Sequence, residues 1–144
     1  MASEICIGDQ FLWVSNQRLG NLIDFAIEVA TQRAGNSEFV ERLRKFRDEE
    51  SFPGCSFDLA VRFPTIDDRK FWAACFHDVA RRIFLRQLGN HEVLFWQASA
   101  IGDAYVVARM LTRSVQETER GWHPATEDAA DAEAYRSGGV NLRA

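Results

Sequence analysis

Two histidine–carboxylate pairs, His77-Asp78 and His91-Glu92, are the residues of this sequence best suited to acid–base chemistry. A histidine beside a carboxylate can move protons near neutral pH when both side chains reach one substrate. If the loop between the pairs folded back, His77, Asp78 and His91 would line a small-molecule pocket with Trp96. That arrangement is our alternative hypothesis, a small enzyme or ligand-binding domain. We favour the simpler interpretation, in which His77 packs beside an apolar surface and His91 lies in a solvated loop.

Metal and cofactor chemistry is disfavoured by the spacing of the possible ligands. Cys75 and His77 are two residues apart, which points them about 160° apart on a helix. His91-Glu92 begins like the zinc motif HExxH, but position 95 is Phe. The chain also has no P-loop, GxGxxG or GxSxG motif. We therefore expect no metal and no other cofactor. Three separated cysteines match no ligand pattern and are typical of buried thiols in a reducing compartment: Cys6, Cys55 and Cys75.

The element expected to organise the fold is a helix from Thr65 to Leu88. Thr65 and Asp68 match the capping-box pattern, in which each side chain bonds the other residue's backbone N–H. The helix carries more large apolar residues than one core-facing stripe requires. We expect it to lie at the centre of the fold, with part of its outer side available to a partner.

The remaining chain predicts short strands and further helices. Apolar runs on either side of Gly8-Asp9 predict a β-hairpin, and alternating residues over 57–63 predict another strand. Helical periodicity predicts helices over 16–34, 37–50 and 99–120. We interpret 91–97 as a strand because Val, Phe and Trp favour strands. The prediction is an α+β fold in the order ββααβαβα, with a small sheet covered by helices. The alternative is an all-α bundle in which 91–97 extends the last helix.

Length and charge restrict the classes of partner. The chain has 144 residues and a net charge of −4, with only two lysines, Lys45 and Lys70. One globular domain over 1–122 is expected, followed by an acidic, Ala- and Gly-rich tail over 123–144. The acidic balance argues against nucleic acid as a partner. No apolar stretch is long enough for a membrane span, and no signal peptide is evident, which predicts a cytoplasmic protein.

A non-enzymatic protein-binding module is the leading functional hypothesis. A small acidic chain with spare apolar and arginine surface resembles, in size and charge alone, immunity proteins and acidic secretion chaperones that mask a protein partner. A homodimer that uses the same surface for itself is a further alternative. The expected partner-binding residues lie on the outer side of the central helix and on the last helix: Phe71, Arg81, Arg82, Leu85, Met110 and Arg113.

Overall fold

The computed structural model describes residues 2–49, 56–88 and 95–121, and its fold is α+β. It opens with the predicted hairpin, in which strand β1 (Ala2–Ile7) pairs antiparallel with strand β2 (Gln10–Ser15). Ile7 pairs with Gln10, so only Gly8 and Asp9 form the turn. Gly8 has a φ of 56°, a value that two-residue hairpin turns require and that glycine adopts without strain.

Two helices follow the hairpin, and the first begins directly after β2. Helix α1 (Asn16–Ala34) is capped by Ser15, whose Oγ accepts a hydrogen bond from the backbone N–H of Arg18 at 3.1 Å. Helix α2 (Glu38–Glu49) packs on α1 with a narrow apolar stripe, as its sequence predicts. Both predicted helices are therefore confirmed.

The strand predicted over 57–63 is much shorter in the structure. Strand β3 (Ser56–Asp58) pairs in parallel with β1 and completes a sheet in the order β2-β1-β3. The chain then enters a single helical turn, α3 (Leu59–Arg62), because the Asp58 carboxylate accepts a hydrogen bond from the N–H of Ala60 at 2.9 Å. Phe57, Leu59 and Phe63 remain buried in this arrangement. Val61, which the alternation places on the same buried face, is instead 65% exposed, so the alternation was right for three of its four apolar residues and for the backbone conformation only in part.

Two long helices complete the described chain, α4 (Ile66–Leu88) and α5 (Phe95–Glu119). The strand expected over 91–97 is wrong for residues 95–97, which belong to the first turn of α5. Short apolar runs do not reveal their own period, and here the run continues the helical pattern that follows it. Residues 91–94 and the tail predicted over 123–144 lie outside the described residues.

Helix α4 is central, as expected. Trp72 lies in the core, where its ring centroid is 5.3 Å from that of Phe63, 5.3 Å from that of Phe71 and 6.2 Å from that of Phe76. The predicted capping box is present, since Asp68 N donates to Thr65 Oγ1 at 3.0 Å and Thr65 N donates to Asp68 Oδ2 at 3.2 Å. One buried cluster joins the inner sides of the helices to the sheet. No helix within the described ranges is both long enough and apolar enough to cross a membrane.

The described cysteines should resist alkylation while the protein is folded. Burial, the largest effect, raises the pKa of Cys6 and of Cys75 from 9.0 to about 12, so both remain thiols at neutral pH. Iodoacetamide reacts with thiolates, and we expect peptide mapping to find both residues unmodified in native buffer and modified in denaturant. Comparable labelling in the two conditions would contradict the burial of these thiols.

Candidate functional site

The candidate site lies on the outer side of α4 and α5, which pack as an antiparallel pair. Lys70, near the start of α4, forms an ion pair with Glu119 at the end of α5, with Nζ and Oε1 3.5 Å apart. Further along α4, the ring of His77 lies opposite Tyr105, near the middle of α5, with centroids 6.4 Å apart. From Lys70 to His77, α4 therefore runs beside the second half of α5 in the opposite direction.

The exposed strip of α4 combines cations with apolar side chains. With 3.6 residues per turn, the strip falls within an arc of about 100° on the helix, and its members are Lys70, His77, Arg81, Phe84 and Leu85. Leu85 is 51% exposed, and Phe84 beside it is also exposed. On α5, Tyr105 is 48% exposed. We call the following exposed residues the α4/α5 face: Lys70, His77, Arg81, Leu85, Tyr105 and Arg109.

A groove of about 830 Å³ runs along this face. From α4 it is lined by Ala73 and Ala74, whose short side chains leave room between the helices. Gln10 of β2 lies at its margin, and in the orientation that satisfies both groups its amide oxygen accepts hydrogen bonds from Arg113 Nε and Nη1, at 3.0 and 2.7 Å. The groove is open enough to hold an extended or helical segment and has the size of a ligand pocket.

The charged residues lining the groove are predominantly basic. Glu117 is its single lining carboxylate among the described residues, and it pairs with Arg113 at 2.9 Å. Asp103 of α5 is buried and bonded to Arg18 of α1, so it does not neutralise the face. The cationic lining residues are Lys70, Arg109, Arg113 and Arg120.

Within the described part of the chain, two of these cations lack a carboxylate partner. Among the residues that the structure describes, neither Arg109 nor Arg120 forms an ion pair. The guanidinium carbon of Arg109 instead lies 5.9 Å from the ring centroid of Tyr105, within range of a cation–π contact. Arg81 of α4 is 4.0 Å from Asp78, at the limit of an ion pair. The face is therefore available to anionic groups.

The six residues expected to bind a partner do not form one surface. Met110 is only 2% exposed, although it is among the residues that line the groove, so its contact with a partner stays a prediction. Phe71 stacks on Phe39 of α2, with centroids 5.0 Å apart, and is not among the residues that line the groove. Arg82 is bonded to Gln32 of α1. The structure leaves Arg81 and Leu85 on the outer strip of α4, with Arg113 at the groove margin.

The proposed catalytic residues are also separated. Asp78 Oδ2 is 3.2 Å from Nη2 of Arg33 on α1, so this carboxylate is turned towards α1. His77 is exposed and lies towards Tyr105 on the α5 side. The two neighbours consequently do not face one substrate. His91 and the side chain of Trp96 lie outside the described residues, so their part of that hypothesis stays a prediction.

Sequence reasoning missed three members of the face. Tyr105 and Arg109 are four residues apart, a spacing that places them together on a helix surface, but Tyr105 also fits the apolar stripe that faces the core. Lys70 was identified only as one of the two lysines of the chain. The lining of a groove between two helices depends on which side of each helix packs against the other. The sequence of one helix does not show which side that is.

Comparison of the chain with protein-family models, with curated proteins and with solved structures returned no match. Within the described part of the chain, no group of three or more His, Cys, Asp or Glu side chains could hold a metal ion.

Proposed function

We propose that this chain is a non-enzymatic protein-binding module whose α4/α5 face holds an acidic segment of a partner protein. The observation that carries the proposal is the concentration of cations on one face of a chain whose net charge is −4. Charge complementarity guides encounter and excludes partners of the wrong charge. A cationic face selects acidic segments and repels basic ones.

The shape of the face favours a helical or extended segment over a small molecule. Lys70 and Leu85 are fifteen positions apart on α4, which places them roughly 22 Å from each other. The cations near Lys70 and the apolar side chains near Leu85 thus mark the two ends of an elongated surface. An amphipathic segment with carboxylates at one end and apolar residues at the other would match it.

The residue types suit this role. Arginine binds carboxylates through two parallel hydrogen bonds, and it is weakly hydrated compared with lysine. Tyrosine and arginine are also the residue types most enriched where binding energy is concentrated. Tyr105 and Arg109 occur together at the middle of the face, so we expect them to dominate the affinity.

Reversing two charges on the face should weaken binding of an acidic peptide. We expect Arg81→Glu with Arg109→Glu to lower the affinity by about tenfold or more, because each change replaces an attraction by a repulsion. The measurement is fluorescence anisotropy with a short glutamate-rich peptide that carries leucines at helical spacing. Lys45→Glu is the matched control, since Lys45 is exposed on α2, which does not line the groove.

Four results would contradict this proposal. The first is equal loss of peptide affinity in the control and in the double variant. The second is the absence of measurable peptide binding at low salt. The third is tighter binding of a single-stranded oligonucleotide than of the peptide, which would indicate a nucleic-acid site. The fourth is a stable homodimer in light scattering that Leu85→Glu abolishes, because the face would then be covered by a second copy.

The narrower roles suggested by size and charge stay predictions. An immunity-like or chaperone-like activity requires a partner protein that is neutralised or kept soluble by this chain. A cytoplasmic location would accompany either activity. Both are tested by co-expression with a candidate partner once an acidic segment that binds the face has been identified.

A further inference from the structure

The acidic part of the C-terminal sequence complements the α4/α5 face. Residues 127–133 contain four carboxylates and three alanines, with no cation among them. Among the described residues, the groove is lined by four cationic side chains and one carboxylate, and Ala73 and Ala74 also line it. Small side chains on both partners permit close approach, which strengthens the attraction between the charged groups around them. Charge and size therefore match.

The place where α5 ends brings this segment close to the groove. Helix α5 ends at Glu119, and the chain turns at Arg120 and Gly121. Arg120 itself lines the groove, so the following residues start from its cationic end. The carboxylates begin six residues after Gly121, a distance that spans up to roughly 20 Å when extended. Arg109 lies about 16 Å back along α5 from Arg120, within that reach.

From these observations we infer that residues 127–133 of the same chain occupy the α4/α5 face when no partner is bound. The inference rests on the proposed function, because the tail competes for the site that a partner's acidic segment would use. A short tether gives the tail an effective concentration of the order of millimolar. Weak contacts are sufficient at that concentration, and a partner must bind more tightly than the tail to displace it.

The first test detects the contact directly in the full-length chain. A nitroxide spin label is attached at Ala132→Cys in a Cys55→Ser background, since the thiols of Cys6 and Cys75 are buried. We expect the label to broaden the backbone amide NMR signals of Tyr105 and Arg109, leaving those of α2 sharp. The control carries the same label with the four tail carboxylates replaced by amides (E127Q, D128N, D131N and E133Q). Broadening should disappear in that control.

The second test measures competition. The unlabelled tail-amide variant should bind the glutamate-rich peptide about tenfold more tightly than the native chain, because its face is uncovered. If both bind the peptide equally and no broadening occurs near Arg109, the tail inference is overturned and the partner-binding proposal stands. If neither binds the peptide but broadening is present and charge-dependent, the tail contact stands and the partner-binding proposal falls. Broadening that persists in the tail-amide control would overturn the inference, since the contact would not depend on charge.

Discussion

Replacing Arg69 with alanine should lower the free energy of unfolding by about 3 kcal/mol. Arg69 is buried, and its guanidinium joins two parts of the fold. Its Nε donates to the carbonyl oxygen of Phe63 at 2.9 Å, and Nη2 donates to that of Pro64 at 2.7 Å. Nη1 donates to Thr118 Oγ1 of α5 at 3.1 Å. Alanine would leave buried acceptors without this donor, at a cost of roughly 1–3 kcal/mol each.

Burial disfavours the charged form of Arg69, but its hydrogen bonds and the neighbouring Asp68 carboxylate stabilise that form. Burial lowers the pKa of Arg69, and the adjacent Asp68 carboxylate opposes that change. Asp68 is in turn paired with Arg42 of α2, at 2.7 Å. Lysine at position 69 would retain the charge but not the planar arrangement of donors, so Arg69→Lys should recover only part of the lost stability.

Equilibrium unfolding in urea, followed by far-UV circular dichroism, measures the effect of Arg69→Ala. The matched control is Lys70→Ala, which removes the neighbouring cation and its exposed ion pair with Glu119. Exposed pairs are worth under about 1 kcal/mol, so the control should remain close to the native stability. Equal losses at the two positions would show that Arg69 stabilises the fold no more than a surface cation does.

Replacing Trp72 with alanine should cost about 3–5 kcal/mol of folding free energy. Trp72 is 1% exposed and contacts three phenylalanine rings, so its removal leaves a large cavity in addition to the lost transfer free energy. Loss of that amount can exceed the stability of a small domain. Trp72→Phe keeps most of the volume and gives a measurable folded variant if the alanine variant does not fold.

The chain supplies its own control for this prediction. Trp13 is also a tryptophan but is 45% exposed on β2, so Trp13→Ala should cost less than about 1 kcal/mol. Thermal and urea unfolding by far-UV circular dichroism compare the variants without depending on tryptophan fluorescence. A loss for Trp72→Ala no greater than that for Trp13→Ala would contradict its place at the centre of the core.

Local signals predicted several elements because they act between neighbouring residues. Gly8 permits the hairpin turn, and the Thr65–Asp68 capping box begins the central helix. Both depend on contacts within four residues, which a sequence displays directly. The strand over 57–63 failed for a related reason. Asp58 is a good helix cap as well as a strand residue, and its bond to Ala60 N changed the backbone after three strand residues.

The candidate site was predicted only in part, since its surface combines two helices. Arg81 and Leu85 were identified because the outer strip of α4 follows from helical periodicity. The exposure of Tyr105 and the burial of Met110 depend on which side of α5 packs against its neighbours. The apolar residues of α5 can be grouped into more than one helical stripe, so periodicity alone does not show which stripe is buried.

The sequence by itself determined the α+β class, the hairpin, the central helix and the acidic character of the chain. These follow from turn dihedrals, helix caps and composition, which are properties of nearby residues. Only the tertiary structure decided that Arg69 is buried beneath α5 and that Lys70 and Arg109 share a groove. The residues involved are about 40 to 50 positions apart, and packing of the helices, not local chemistry, brings them together.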